Sequence, residues 1–499
     1  MYGQTLTGAQ MGILSLRNDR IASPSFWMAG VVLLGLAATM VPCIIVSLIY
    51  GESLSPFLIP FVIYAVLGGV FLLVFDMGFV RPANVLVMLA VIWATSIGLG
   101  MIPFCLGGMD IIDALMESAS GYTTAGCSTI SDYGAWSNGI MFYRSLSNWI
   151  GGIMIILIVM IILPMANVGN RTLVSNEMSG SGTASMSVRI RDAALQFALI
   201  YILLTVIMFV LLIITGTGPF DALSLSLCTV STGGLISGDM EINIPARIIL
   251  MVFMFLGGTN FYLHFKAIIL RKPGVYRQSS EFMGLLFWCF VMSIVMYIIV
   301  EPYSDVNPLE TYLGSLFGVI SSSTTTGYTL PQMDTWPKVA MIIMFALAFV
   351  GASSGSTSGG VKISRFIVLL KYIRSSFSRV VYPNNVSEVY VDGSPVSNDY
   401  VRMCMVVIFM FMVTICVFVV IFMLSGVDSV SSIEVVLAMI TSLGTVDVEI
   451  QFMSPFLKVM MVIMMWAGRL EILVALAMLS PRVWKDHIRD VGHKLREHL

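Results

Sequence analysis

Thr324-Thr-Thr-Gly327 is a small, polar, glycine-ended phrase set between two long apolar runs, and the chain carries three variants of it: Thr123-Thr-Ala-Gly126, Val230-Ser-Thr-Gly233 and Thr441-Ser-Leu-Gly444. Irregular backbone survives at membrane depth only where it lines a water-filled path or is buried in protein, because lipid offers its N–H and C=O groups no partner. Four such phrases in one chain predict a four-part ring around a pore.

The surroundings of the phrases are built for lipid. Hydrophobic residues make up 58% and charged residues 11% of the 499, against the ~25% charged share of soluble domains. The chain is therefore read as an integral membrane protein. Its apolar runs follow one another without a soluble-length interval, which predicts one polytopic unit with the lipid bilayer as its solvent and no nucleic-acid partner. The seven cysteines (Cys43, Cys105, Cys127, Cys228, Cys289, Cys404, Cys416) form no Cys-x-x-Cys pair and fall mostly within apolar segments. They are expected to be small hydrophobes rather than a metal site or disulfide frame. The first run, Phe26 to Tyr50, exceeds the ~7–15 residues of a signal-peptide core and is expected to be a retained span.

A bilayer crossing takes ~20 predominantly apolar residues. Ten runs qualify: 26–49, 56–76, 84–104, 139–164, 193–215, 245–270, 282–300, 337–373, 400–425 and 455–480. The eighth is long because it is interrupted. Four shorter amphipathic stretches, Asp110 to Ser120, Phe220 to Thr229, Leu309 to Ser323 and Val430 to Ile440, each lead into a glycine phrase and are too short to cross. The predicted fold is all-α, with ten transmembrane helices: four pseudo-symmetric span/pore-helix/span repeats around one ion pore, preceded by two extra spans. The expected division is 1–80 for the N-terminal pair, then 81–170, 171–275, 276–380 and 381–499 for the repeats, the last carrying a cytoplasmic C-terminus. From glycine to glycine the phrases lie 107, 94 and 117 residues apart, an internal repeat longer than those of solenoids.

With the N-terminus inside, ten spans put all four half-helix loops on the outer side and both termini in the cytoplasm. Of the 26 Lys and Arg residues, four then lie near the outer side (Arg144, Arg247, Lys338, Lys458), one at mid-span (Arg469) and 21 inside or near inner span ends, a strong positive-inside bias. Sixteen of the 28 acidic residues fall outside, among them Asp110, Asp113, Glu117, Asp447 and Glu449. An acidic vestibule concentrates cations; the alternative is that acidic residues simply tolerate translocation better than basic ones.

A dehydrated alkali cation needs several oxygen ligands, and backbone carbonyls supply them without fixed charge, so the ion is also able to leave. Glycine relieves the steric limits on turning carbonyls toward an axis, and each phrase follows the C-terminal, partially negative end of a short helix. Small residues at membrane depth also serve helix packing, the bland reading for any single phrase. Four occurrences at one place in a repeated unit favour the pore.

On these residues the chain resembles the Trk/Ktr/HKT superfamily of potassium transporters, most closely its Trk-type potassium uptake membrane subunits. The resemblance rests on Ser118-Ala-Ser-Gly-Tyr-Thr-Thr-Ala-Gly126, Arg144-Ser-Leu-Ser-Asn-Trp-Ile-Gly-Gly152, Ser231-Thr-Gly-Gly234, Gly257-Gly-Thr-Asn-Phe261, Thr324-Thr-Thr-Gly-Tyr328, Asp334-Thr-Trp-Pro337 and Gly468-Arg-Leu-Glu471. It implies that Thr123, Thr124, Ala125, Gly126, Val230, Ser231, Thr232, Gly233, Thr324, Thr325, Thr326, Gly327, Thr441, Ser442, Leu443 and Gly444 form a filter that holds potassium as substrate. Glycine at all four positions is the family pattern that accompanies potassium; serine in the first repeat accompanies sodium preference in some plant relatives. Two departures stand out. Ala125 replaces the usual threonine and leaves the carbonyl in place, and the fourth phrase carries Leu443 with Asp447 close behind.

Within 337–373, Gly351-Ala-Ser-Ser-Gly-Ser-Thr-Ser-Gly-Gly360 holds four glycines and five hydroxyl residues in ten positions, through which no membrane helix is expected to persist. Broken backbone there is a candidate for the conduction path below the filter. The resemblance implies an intramembrane gate at this loop, with Gly351, Ser354, Gly355, Ser356, Thr357, Gly359, Gly360 and Arg469 as gate residues. Gly351-Ala-Ser-Ser-Gly355 also matches the Gly-x-Ser-x-Gly of hydrolases. A serine triad needs a base, and His264, His487, His493 and His498 all lie toward or beyond inner span ends, so no enzyme is expected. Gly359-Gly-Val-Lys362 is only faintly like a phosphate loop.

Arg469 lies near the middle of the last span, where an uncompensated charge costs at least ~2.5–3.5 kcal/mol. Glu471 is too close in sequence to share its helical face, so Arg469 is expected to face the pore as a barrier to cations. Lys362, Arg365, Lys371, Arg374 and Arg379 continue the eighth span into the cytoplasm, where they are expected to snorkel or to dock a partner or anionic lipid. The resemblance implies a homodimer with a cytosolic nucleotide-binding regulatory subunit. No dinucleotide fingerprint or other cofactor motif is present in the chain itself. The expected function is potassium uptake across the cytoplasmic membrane. The alternatives are a sodium-preferring or weakly selective transporter of the same architecture, a broken-helix secondary transporter for a small solute, and an intramembrane serine protease.

Overall fold

The computed structural model describes residues 21–77, 82–159, 183–236, 242–381, 388–446, 448–481, 483–485 and 489. Asp239, Glu241, Asp447 and the three C-terminal histidines lie outside them, as does the boundary expected between the first two repeats. Two helices come first, α1 (Pro24–Tyr50) and α2 (Ser55–Val74). Pro24 at the first helical position starts α1 and Gly51, at φ 68°, ends it, the arrangement in which a rigid φ opens a helix and a left-handed glycine closes it.

The first repeat consists of α3 (Pro82–Gly100), its short continuation α4 (Ile102–Leu106), the pore helix α5 (Ile111–Thr123) and α6 (Asn138–Leu157). The second has α7 (Thr183–Ile214), the pore helix α8 (Pro219–Val230), and α9 (Ile244–Gly257) followed by α10 (Phe261–Ile268). After a short α11 (Val275–Gln278), the third comprises α12 (Ser280–Val300), the pore helix α13 (Pro308–Ser323), α14 (Lys338–Val350) and α15 (Ile363–Val381). The fourth has α16 (Asn398–Leu424), the pore helix α17 (Ser429–Thr441), α18 (Pro455–Arg469) and α19 (Ile472–Met478).

Each pore helix has a physical start signal. Asp110 caps α5 by accepting from Ile112 N, and Asp428 caps α17 by accepting from Val430 N and Ser431 N, while Pro219 and Pro308 open α8 and α13. Hydrogen bonds from Ser431 and Val430 hold the Asp428 carboxyl below its ordinary range, as expected for an acceptor that is better charged than neutral.

Among the described residues, seven helices are long and apolar enough to cross a membrane, or nine if each of two bent pairs is one span. Those nine coincide with nine of the ten expected runs. The bends are 99° between α9 and α10 and 110° between α18 and α19. The remaining run, 337–373, is α14, a loop and α15, so the break expected at Gly351 to Gly360 is present. In its most apolar window α6 is 72% buried and α16 only 17%, which places α6 inside the bundle and α16 on its lipid-facing rim.

In each repeat the first long helix packs on its own pore helix, and the helix after the phrase packs on the pore helix of the next repeat: α6 on α8, α9 on α13, α14 on α17 and α18 on α5. The last contact returns to the start and closes the ring. The hairpin of α1 and α2 lies outside this circle, with α1 against α3 and α6.

Candidate functional site

All four phrases leave their pore helices by the same backbone path. Thr124, Thr232, Thr325 and Ser442 have φ of 52°, 52°, 54° and 60°, and two residues on, Gly126, Gly234, Gly327 and Gly444 have φ of 75°, 63°, 79° and 74°. Between them, Ala125, Gly233, Thr326 and Leu443 donate their N–H to the carbonyls of Ser120, Cys228, Ser321 and Ala438 at 2.8–3.0 Å, satisfying helix-end acceptors by a left-handed turn. A β-branched residue with positive φ is a genuine outlier, and such strain persists only where the surroundings enforce it. Three threonines hold it at equivalent places.

This register corrects the second phrase by one residue. The counterpart of Thr123-Thr-Ala-Gly126 is Ser231-Thr-Gly-Gly234, so Val230 belongs to the helix and Gly234, not Gly233, is the equivalent glycine. In the corrected alignment the hydroxyls of Thr123, Ser231, Thr324 and Thr441 each donate to the carbonyl four residues back, at 2.6–2.9 Å.

The glycines meet. A Cβ on Gly126 would fall on the carbonyl oxygen of Gly233, one on Gly234 on that of Thr326, one on Gly327 on that of Leu443, and one on Gly444 on that of Ala125. The phrases therefore abut in chain order and the fourth returns to the first. Ala125 and Leu443, the two departures noted in the sequence, contribute a carbonyl to these contacts, which no side chain alters.

Polar ties fasten each boundary. Between the first and second repeats, Arg144 donates to Ile236 O at 2.6 Å. Thr229 Oγ1 lies 3.2 Å from Tyr328 Oη, Thr445 Oγ1 donates to Gly327 O, and Lys458 pairs with Asp113 at 2.5 Å. The outer basic residues read from the sequence thus include two that bridge neighbouring repeats through a pore-helix acid, since Arg247 also lies 3.6 Å from Glu310.

Beneath the ring lies the glycine-serine loop. Gly359 N donates to Thr325 Oγ1 at 2.6 Å, and Thr357 Oγ1 is 3.1 Å from Val230 O and 3.2 Å from Thr232 Oγ1. A Cβ on Gly359 would fall on the Thr441 carbonyl. The loop thus touches the phrases of the second, third and fourth repeats. It is stitched to the break between α9 and α10: Ser353 N donates to Gly258 O at 3.0 Å, Thr357 N to Gly257 O at 3.2 Å and Phe261 N to Gly355 O at 3.1 Å. The half-buried Glu281 accepts from Ser354 N. In the sequence Gly257-Gly-Thr-Asn-Phe261 stands out only as a motif; in the fold its freed backbone groups receive the loop.

Arg469 is 4% exposed, and its Nε and Nη2 have no hydrogen-bond partner. It follows Gly468, where a Cβ would fall on the Ile440 carbonyl near the end of α17, so the end of α18 that carries Arg469 packs closely on the helix from which the fourth phrase leaves. Glu471 pairs instead with Arg365 at 2.6 Å. This revises the cytoplasmic grouping of five cations: Arg365 is 5% exposed and turned inward, and Lys362 donates to Ser358 O in the loop. His264 is occupied by Tyr276 Oη at 2.8 Å and Leu256 O at 3.0 Å, and Ser354 Oγ by Ser364 Oγ at 2.6 Å, so no serine–histidine pair forms among the described residues.

Four span/pore-helix/span units closed on a ring of glycines, with broken backbone beneath, define a multi-pass membrane transport protein. The chain belongs to the TrkH family, cation transport proteins, whose profile matches residues 106–485. It is 28% identical over 426 residues to the Trk system potassium uptake protein TrkH of Escherichia coli strain K12, covering 82% of this chain and 88% of that protein. It is 28% identical over 471 residues to the TrkH of Halomonas elongata, covering 91% and 98%. The crystal structure of the potassium transporter TrkH from Vibrio parahaemolyticus superposes with a TM-score of 0.83 at 25% identity, covering 93% of this chain and 99% of that one.

Proposed function

We propose that this chain takes up potassium across the cytoplasmic membrane, with the ring from Thr123 to Gly126, Ser231 to Gly234, Thr324 to Gly327 and Thr441 to Gly444 as its selectivity filter and the Gly351 to Gly360 loop with Arg469 as its gate. The observation that carries the reading is the closure of the four phrases, each glycine against the carbonyl of the next repeat. Uncharged main-chain oxygens grouped at one place bind a dehydrated alkali cation and still release it. Likeness to potassium uptake proteins and to a potassium transporter supports that ion over sodium. The loop lies against three phrases and Arg469 stands unpartnered below the fourth, which supports a closed state with an electrostatic barrier at its inner end. In this reading both termini are cytoplasmic, and the resemblance supports a homodimer with a cytosolic nucleotide-binding regulatory subunit.

Potassium and sodium flux into proteoliposomes, for the intact chain and for Gly327→Ser, tests the proposal. The intact protein is expected to prefer potassium and the variant to lose that preference. Equal flux of both ions in the intact protein refutes it.

A further inference from the structure

The first repeat differs from the others by a charged pair sealed behind its phrase. Glu117 is 0% and Arg144 1% exposed, and their Oε2 and Nε lie 2.8 Å apart. In the common register of the pore helices, Glu117 corresponds to Leu225, Gly318 and Val435, none of them polar. The pair does more than neutralise itself. Glu117 Oε1 accepts from Ser128 Oγ and Thr129 N, both at 2.7 Å, in the irregular segment that leaves Gly126. Arg144 Nη1 donates to Ile236 O at 2.6 Å, in the irregular segment that leaves Gly234. The Tyr133 ring covers the guanidinium at 5.7 Å from its centroid. One carboxylate and one guanidinium thus connect the exits of two adjacent phrases, where the Gly126 backbone already touches the Gly233 carbonyl.

A burial this complete is expensive for two charges unless every lone pair and proton finds a partner, and an apolar residue fills the same register position in two other repeats. The excess polarity is spent on geometry: charge-assisted hydrogen bonds are short and directional, and the guanidinium fork spans two partners where an ammonium reaches one. We propose that Glu117 and Arg144 are positioning residues for ion discrimination, holding the first and second phrases at the spacing that favours potassium over the smaller sodium. The proposal rests on the filter reading above. The pair touches no ion; it acts through the carbonyls of the two segments it ties.

The test is the potassium-to-sodium flux ratio in proteoliposomes for Arg144→Lys, which keeps the charge and removes the fork, and for Ser128→Ala, which removes one tie and leaves both charges. Arg247→Lys serves as comparison, since its pair with Glu310 is partly exposed and does not reach a phrase. Arg144→Lys is expected to lower the ratio about tenfold while potassium flux persists, Ser128→Ala about two- to threefold, and Arg247→Lys not at all. A merely structural role would reduce protein yield and flux of both ions alike and leave the ratio intact, and that result overturns the proposal. Should Arg144→Lys fail to fold, an unchanged ratio in Ser128→Ala overturns it equally. Gly327→Ser measured alongside separates the two levels: if it shifts the ratio and the pair variants do not, the positioning role alone is refuted; if it does not, the filter reading fails first.

Discussion

Gly233-Gly234 allows the register of the ring to be tested by a pair of neighbouring substitutions. Gly234 has φ 63°, and an L-residue forced into the left-handed region costs about 1–2 kcal/mol, equivalent to a factor of about 5–30 in population. Its Cβ would also meet the Thr326 carbonyl, a backbone atom that yields only if the third phrase moves. Gly233 is not among the positive-φ residues, and its Cβ would meet the amide of Asn148, whose Oδ1 and Nδ2 have no hydrogen-bond partner. The neighbour that must give there is the end of a side chain. Gly234→Ala is therefore expected to lose at least about tenfold in potassium flux or in discrimination against sodium, and Gly233→Ala to stay within about threefold of the parent. Radiotracer uptake with sodium competition, on protein that elutes as one species, reads both quantities. Greater damage from Gly233→Ala would show that the left-handed register does not organise the ring, and the structural alignment of the second phrase would be wrong.

Arg469→Ala should raise potassium flux, because a buried guanidinium whose Nε and Nη2 have no hydrogen-bond partner repels a cation nearby, and unchanged flux in reconstituted vesicles would remove Arg469 from the barrier. Gly359→Ala pushes the loop off the Thr441 carbonyl and is expected to increase flux without altering ion preference; an altered preference would mean that the loop itself discriminates. Thr325→Val leaves the buried Gly359 N–H without its 2.6 Å partner, at a cost of about 1–3 kcal/mol, whereas Ser442→Ala removes a hydroxyl that has no partner. Thermal unfolding in detergent should therefore fall for the first and barely change for the second.

The spans, the pore helices and the broken eighth run were legible because lipid imposes them: a crossing segment must be apolar for a full bilayer, and polar glycine-rich backbone is an exception that has to be explained by burial. The ring was legible as a repetition of residue types. Its register in the second repeat was not, because Val230 to Gly233 and Ser231 to Gly234 both end in glycine, and only the backbone dihedrals choose between them. Nor does sequence separation tell which of several nearby groups a charge will find. Helical spacing correctly excluded Glu471 as a partner of Arg469 but could not supply Arg365, 106 residues away. Lys362 and Arg365 looked like the start of a cytoplasmic stripe because positive-inside counting records the end of a span, not the direction of its side chains.

The corrected alignment also explains where the four phrases agree and where they differ. At Thr123, Ser231, Thr324 and Thr441 the side chain itself makes a bond, back to its own pore helix, and each has a hydroxyl. At Gly126, Gly234, Gly327 and Gly444 the backbone needs positive φ and a neighbour's carbonyl fills the place of a Cβ, so each is glycine. The position between them, Ala125, Gly233, Thr326 and Leu443, presents a main-chain oxygen to the glycine of the preceding repeat, and the residue types diverge freely. A site that recognised its ion through side chains would constrain that third position most. Here it is the least constrained, which is the pattern expected when the backbone is the ligand.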